Sequence, residues 1–163
     1  MLEYFLITKN DYKAVYNLAS EIWNSNYQEI ISQKQINYML NMMYSEESLK
    51  NDLDKKFIWE FIYYNKMLVG YLSYTKKEDN RVFLSKIYLK TKYQGLGLSK
   101  KILDRVKVFA KKNKCKAVYL TVNINNSKGI RAYKSNGFTI IKKQIVDIGN
   151  NYVMDDYVFE YSL

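Results

Sequence analysis

Between a run of strand character and a run of helical character lies Gln94-Gly95-Leu96-Gly97-Leu98-Ser99. Glycines at 95 and 97 let the backbone take positive φ and come close to a ligand. The helix that follows opens with N–H groups lacking intrahelical partners and with the positive end of its dipole, an arrangement that suits a pyrophosphate. Lys92, Lys100 and Lys101 add positive charge nearby. Two other glycine-loop chemistries fit worse. A dinucleotide fingerprint needs a third glycine at position 100, which is Lys, and a phosphate-binding P-loop needs Gly-Lys-Ser/Thr at the helix start. Taken alone, the loop reads slightly better as an ordinary strand-to-helix turn.

The absent residues narrow the chemistry further. The chain has no His, no Pro and one Cys, Cys115. That excludes Ser-His-Asp and Cys-His nucleophile systems, His-based zinc sites and His general bases. No metal is expected. Catalysis must rest on Tyr, Asp, Glu, Ser, Lys, Cys115, backbone amides or an organic cofactor.

The hydrophobic periods assign the elements that would hold these residues. Residues 2–8 read as an opening strand. Val15, Leu18, Ala19 and Ile22 recur at helical spacing, predicting a helix over 11–24 with Asn10 or Asp11 as N-cap. Residues 33–44 repeat the pattern with Ile36, Leu40 and Met43, and Ser45 or Ser48 caps a further short helix. Residues 57–64 and 67–74 form a hairpin around Asn65-Lys66, and a strand over 82–89 follows the charged turn Lys76–Asn80. Leu98, Ile102, Leu103, Val106, Phe109 and Ala110 make one helical stripe. A strand over 117–122, a short helix ending near Gly137, and strands over 138–147 and 152–162 complete the chain. The expected class is mixed α/β with a central, mostly antiparallel sheet, built as one domain over residues 1–163 with one core. No apolar run is long enough to span a bilayer. The N-terminus has no basic leader and no cleavage site. With a single cysteine, the expected compartment is the cytoplasm.

On these elements, two motifs stand at a telling separation. Gln94-x-x-Gly97-x-Ser99, followed by Ile102-Leu103, resembles the Gln/Arg-x-x-Gly-x-Gly/Ala motif and apolar pair of the GNAT family of N-acetyltransferases. Asn126-x-x-Gly129-x-x-Ala132-Tyr133-Lys134-Ser135-Asn136-Gly137-Phe138 resembles that family's second signature, Asn-x-x-Ala-x-x-Phe-Tyr-x-x-x-Gly-Phe. The alternative register Lys92-x-x-Gly95-x-Gly97 would put Lys100-Lys101 at the apolar pair, so the Gln94 register is preferred, with Ser99 standing for the usual small residue. The resemblance implies a GNAT-like sheet of about seven strands, flanked by helices and splayed at the cofactor site. It implies acetyl-CoA as co-substrate, with pantetheine along the backbone of Ile87, Tyr88 and Leu89. The pyrophosphate would rest on the amides of Gln94, Gly95, Leu96, Gly97, Leu98, Ser99 and Lys100, with Asn126 contacting the cofactor from beyond the second strand. A neutral amine would attack the thioester, a backbone N–H near Tyr88 or Leu89 would stabilise the oxyanion, and Tyr133 would protonate the leaving thiolate. Many relatives carry Glu where Ser85 stands, so no base is assigned. Ser85 could hold a relaying water. Glu60 is a second candidate, read first as a solvated strand residue.

For the acceptor, the resemblance points to the N-terminal helices and the last hairpin. Tyr27 and one of Asp155 and Asp156 are candidates, Asp155 being the one chosen, while Trp23 reads as core and the other Asp as part of a solvated turn. The stretch from Ile22-Trp23 through Leu49 bears a looser resemblance to the polyamine acetyltransferases of bacilli. The acceptor class is a small amine. Lys plus Arg number 26 against 16 Asp plus Glu, a net charge of +10. That fits an anionic partner or the codon bias of an AT-rich genome equally well, and it would not steer polyamines inward. Two rivals stay open: a non-catalytic acyl-CoA-binding or sensing module, and a nucleic-acid-binding protein using Lys100, Lys101, Arg105, Lys107, Lys111, Lys112 and Lys114. The solvated face of an amphipathic helix accounts for that basic cluster more simply, so neither nucleic acid nor membrane is expected as partner. A monomer or homodimer is expected.

Overall fold

Seven strands and five helices appear in the computed structural model, which describes residues 1–163. They are β1 (Leu2–Leu6), α1 (Tyr12–Asn26), α2 (Gln33–Tyr44), α3 (Glu46–Asp54), β2 (Ile58–Tyr64), β3 (Met67–Lys76), β4 (Arg81–Leu89), α4 (Leu98–Lys112), β5 (Ala117–Asn123), α5 (Ser127–Ser135), β6 (Thr139–Gly149) and β7 (Tyr152–Ser162). The sheet order is β1-β2-β3-β4-β5-β7-β6. Only β4 and β5 pair in parallel, over Arg81–Phe83 and Ala117–Tyr119. The expected mixed α/β class and mostly antiparallel sheet are therefore present. No helix is long and apolar enough to cross a membrane.

The chain divides into two compact units, Met1–Thr75 with Lys86–Leu96, and Lys76–Ser85 with Gly97–Leu163. In the first, Val15, Leu18, Ala19, Ile22 and Trp23 of α1 and Ile36, Met39, Leu40 and Tyr44 of α2 are buried. Capping sets the helix starts. Ser32 accepts from the Gln35 N–H and Ser45 from the Ser48 N–H, each at 3.1 Å. The expected Asn10 or Asp11 cap of α1 does not form. Asp11 instead turns back to accept from the Thr8 N–H at 2.8 Å, closing a capping box around the 3-10 turn Lys9–Asp11. Asn65 and Lys66 both take positive φ, the backbone of a tight hairpin turn that matches strand twist, and Asn150 and Asn151 do the same between β6 and β7.

The β3–β4 hairpin holds an irregularity that alternation cannot reveal. At its closed end Lys77 N–H bonds Arg81 C=O, and at its open end Lys90 N–H bonds Val69 C=O. Going from Lys77 to Val69 takes eight steps along β3, but from Arg81 to Lys90 takes nine along β4. β4 thus carries one extra residue, a β-bulge. Lys86 and Tyr88 are accordingly turned to the face of Trp59 and Tyr71: the Lys86 ammonium lies 4.8 Å from the Trp59 ring centre, and the Tyr88 ring 5.4 Å from that of Tyr71.

In the second unit α4 packs on β5 and buries Leu98, Ile102, Leu103, Val106 and Ala110 of the stripe expected from its period, while Phe109 is half-buried. Gly137 follows α5 with φ +88, as a helix-terminating glycine should. A side chain there would press on Tyr161.

Candidate active site

The loop between β4 and α4 is shaped by its glycines. Gly95 and Gly97 both have φ +76, and a Cβ built on either would meet nothing within 4 Å. Gly97 sits at the N-cap of α4 and, having no side chain, leaves the first turn of N–H groups uncapped. Leu96 is exposed, while Leu98 points into the core and anchors the helix start. Ser99 is half-buried and Lys100 exposed, its ammonium 2.9 Å from Asp104 one turn on. A fifteen-residue helix with an open, uncapped N-terminus behind two positive-φ glycines fits a phosphate group.

Gln94 has another occupation. Its side-chain amide donates to the Leu89 carbonyl at 3.2 Å, tying the loop to the end of β4. Asn26 of α1 also reaches that carbonyl, at 3.5 Å, and accepts from the Thr91 hydroxyl at 3.0 Å. The Leu89 carbonyl is therefore engaged inside the protein. Gly70 on β3 lies so close to the Tyr88 carbonyl that any side chain at 70 would collide with it. Ile87, Tyr88 and Ser85 are half-buried on β4.

Around Tyr88 the first unit builds an aromatic cluster. Tyr27 stacks on Trp23 at 4.4 Å, and Trp23 lies 5.6 Å from Tyr88. Trp23 is core, as expected, and its indole N–H donates to the Tyr44 hydroxyl at 3.1 Å. That hydroxyl in turn pairs with Tyr71 at 2.6 Å. Burial pushes both phenols well above the usual tyrosine range, so the pair is neutral. Beneath them Lys86 is buried 3.9 Å from Asp52, and burial lowers its pKa despite that partner. Sequence patterning missed this lysine, since a cation on a strand ordinarily faces water. Glu60, read as solvated, is buried at 3% exposure and accepts from the Tyr74 hydroxyl at 2.9 Å. Ser73 Oγ is buried without a hydrogen-bond partner.

In the second unit Asn126 serves as the N-cap of α5, its Oδ1 accepting from the Gly129 N–H at 3.0 Å. Only its amide nitrogen is left to face a ligand. Tyr133, on the same helix, packs its ring 6.0 Å from Phe138 and 5.8 Å from Phe159. Asp155 and Asp156 lie within β7, with Asp155 half-buried and Asp156 at 4% exposure. The solvated turn expected for Asp156 is thus replaced by a buried strand position. Burial first, and then the Asp155 carboxylate beside it, push the Asp156 pKa up to about 6. The signal available in the sequence was the alternation of Asp156 with the apolar Val158 on one face of β7.

The model of the acetyltransferase (GNAT) family matches residues 12–138. The chain is 34% identical over 116 residues to the spermine/spermidine N(1)-acetyltransferase of Bacillus subtilis (strain 168), covering 66% of this chain and 75% of that one. It is 28% identical over 137 residues to the spermidine N(1)-acetyltransferase of Thermoplasma acidophilum, covering 80% and 83%. Among solved structures, that of the PaiA N-acetyltransferase of Thermoplasma acidophilum in complex with coenzyme A superposes with a TM-score of 0.82 at 22% identity, over 100% of this chain and 99% of that one.

Proposed function

Because the chain belongs to the acetyltransferase (GNAT) family, we propose that this N-acetyltransferase moves the acetyl group of acetyl-CoA directly to a primary amine, with polyamines as the acceptor class. The observation that carries the co-substrate is the uncapped start of α4 behind Gly95 and Gly97. The polyamine class is supported by what the Bacillus and Thermoplasma relatives are named for.

When bound, acetyl-CoA supplies an acetyl group already activated as a thioester. The chain's own residues do the rest. The N–H groups from Gln94 to Lys100 hold the pyrophosphate by hydrogen bonding and by the dipole of α4. The backbone of Ile87, Tyr88 and Leu89 lines the pantetheine, and a β4 N–H at Tyr88 or Leu89 stabilises the developing oxyanion. The Asn126 amide nitrogen contributes a donor while its oxygen keeps α5 capped. Tyr133 donates the proton that the departing sulfur needs, since a phenol with a reference pKa near 10 holds that proton at neutral pH.

The test is acetyl-CoA-dependent thiol release across polyamines, amino acids, aminoglycosides and short peptides, with Tyr133→Phe alongside. The variant should bind acetyl-CoA normally and turn over at least about 100-fold more slowly. A wild-type chain that fails to bind acetyl-CoA in calorimetry would sink the reading. Tight binding without turnover on any amine would point to an acyl-CoA sensor.

A further inference from the structure

We infer that Asp156 is the residue that binds the ammonium of the acceptor and takes its proton.

A carboxylate removed from water normally has a cation or several hydrogen-bond donors beside it, because desolvating the charge is costly. Asp156 has neither. In register, Asn123 of β5 and Gln144 of β6 stand directly opposite it. Both are uncharged, and neither bonds to it. Lys142 is next along the same face of β6, opposite Val158, but it is exposed and forms no ion pair with Asp156. On its own strand the one charged group acting on it is Asp155, which repels. That neighbour lacks donors too, since Asp155 Oδ1 is buried with no hydrogen-bond partner. The fold therefore maintains a buried, uncompensated acid, and what would complete it is a cation that comes and goes.

Its place in the second unit suits the chemistry. Asn123 is the last residue of β5, and the Ile124 N–H bonds the Asp155 carbonyl at 3.1 Å. Asp156 thus sits at the end of β5 from which the chain runs through Asn126 into α5, and alternation along β7 puts it on the face opposite Phe159, against which Tyr133 packs. It also supplies the function for which the β4 residue Ser85 has no carboxylate.

The proton balance closes. Asp156 takes a proton from the acceptor's ammonium, the freed lone pair forms the C–N bond as the C–S bond breaks, and Tyr133 gives its proton to the sulfur. Tyr133 regains a proton from the acylated nitrogen, which loses its second proton as it becomes a neutral amide, and Asp156 returns its own proton to solvent, leaving both as they began. A carboxylate whose affinity for protons is raised by burial accepts one from an amine more readily than an exposed Asp would.

The identity of the reaction rests on the acetyl-transfer reading; the cation site does not, and the experiment separates the two. The full chain, labelled with 13C at Asp carboxyls and assigned through Asp156→Asn, is titrated with pH with and without spermidine. The Asp156 resonance should titrate near 6 in the free protein. Spermidine should lower that midpoint by at least about one unit, a tenfold preference for the ionised form. At pH 7, Asp156→Asn should lose about 100-fold in kcat/KM for spermidine. For an alkoxyamine, which is uncharged at that pH, the loss should be under about tenfold. An unmoved midpoint, or equal losses for the two amines, overturns the inference. A responsive carboxyl in a chain that acetylates nothing upholds the cation site and overturns acetyl transfer.

Discussion

At the scale of single residues, the buried Lys86 and Asp156, of opposite sign, are handled differently. Lys86 is matched: Asp52 lies 3.9 Å away, and the faces of Trp59 and Tyr44 lie 4.8 and 5.7 Å from its ammonium. Asp156 is unmatched, and its cost should be visible in stability. Its folded-state pKa of about 6 stands above the ordinary 3.8. The native state therefore holds a proton that the unfolded chain has released over that interval. Stability from this group is fully present below pH 4, falls as pH rises toward 6, and stays lower above it. Asp156→Asn should remove the penalty, raising stability at pH 8 by about 2 kcal/mol and Tm by roughly 4–8 °C. At pH 4 it should change little. Thermal melts at the two pH values check this. Equal shifts at both would mean that repacking, not charge, is responsible.

At the scale of elements, Gly70 on β3 controls where β4 can lie. A methyl group there would collide with the Tyr88 carbonyl and stand 2.9 Å from Leu89 Cδ2, and neither backbone nor buried side chain yields cheaply. Gly70→Ala should destabilise by about 1–3 kcal/mol and weaken acetyl-CoA binding by displacing Tyr88 and Leu89. Denaturant unfolding and calorimetry read the two effects. A variant of wild-type stability would show that β4 is free to move. The elements themselves were largely legible from period and turn chemistry. The spacing of Ile36, Leu40 and Met43 predicted 33–44 for a helix found over Gln33–Tyr44, and Asn65-Lys66 marked its turn. Residues whose surroundings are built by distant segments were not legible. Alternation cannot report an extra residue in β4, because a bulge is seen only against the partner strand. Nor can it show that Glu60, flanked by apolar residues on both sides, is buried and hydrogen-bonded by Tyr74. Asp11 failed as a cap of α1 because the Thr8 N–H offered its carboxylate an earlier donor.

At the scale of the whole molecule, the net charge of +10 acts oppositely on the two proposed substrates. Part of the basic surface is already engaged: Lys100 pairs with Asp104, and Lys107 donates to the Asn136 carbonyl at 3.1 Å while lying 3.8 Å from the Tyr161 ring centre. The remaining field attracts a polyanionic CoA ester and repels a polyamine from beyond a Debye length, which is about 8 Å at physiological salt. Contact with Asp156 is buried and short-ranged, so salt screens it far less than it screens the field. Raising salt from about 0.05 to about 0.5 M should therefore raise KM for acetyl-CoA several-fold while leaving KM for spermidine flat or lower. Asp156→Asn should keep the first dependence unchanged, because the net charge barely moves. If both KM values rise together in the wild type, attraction by surface acids, and not a buried carboxylate, is what brings the amine to this protein.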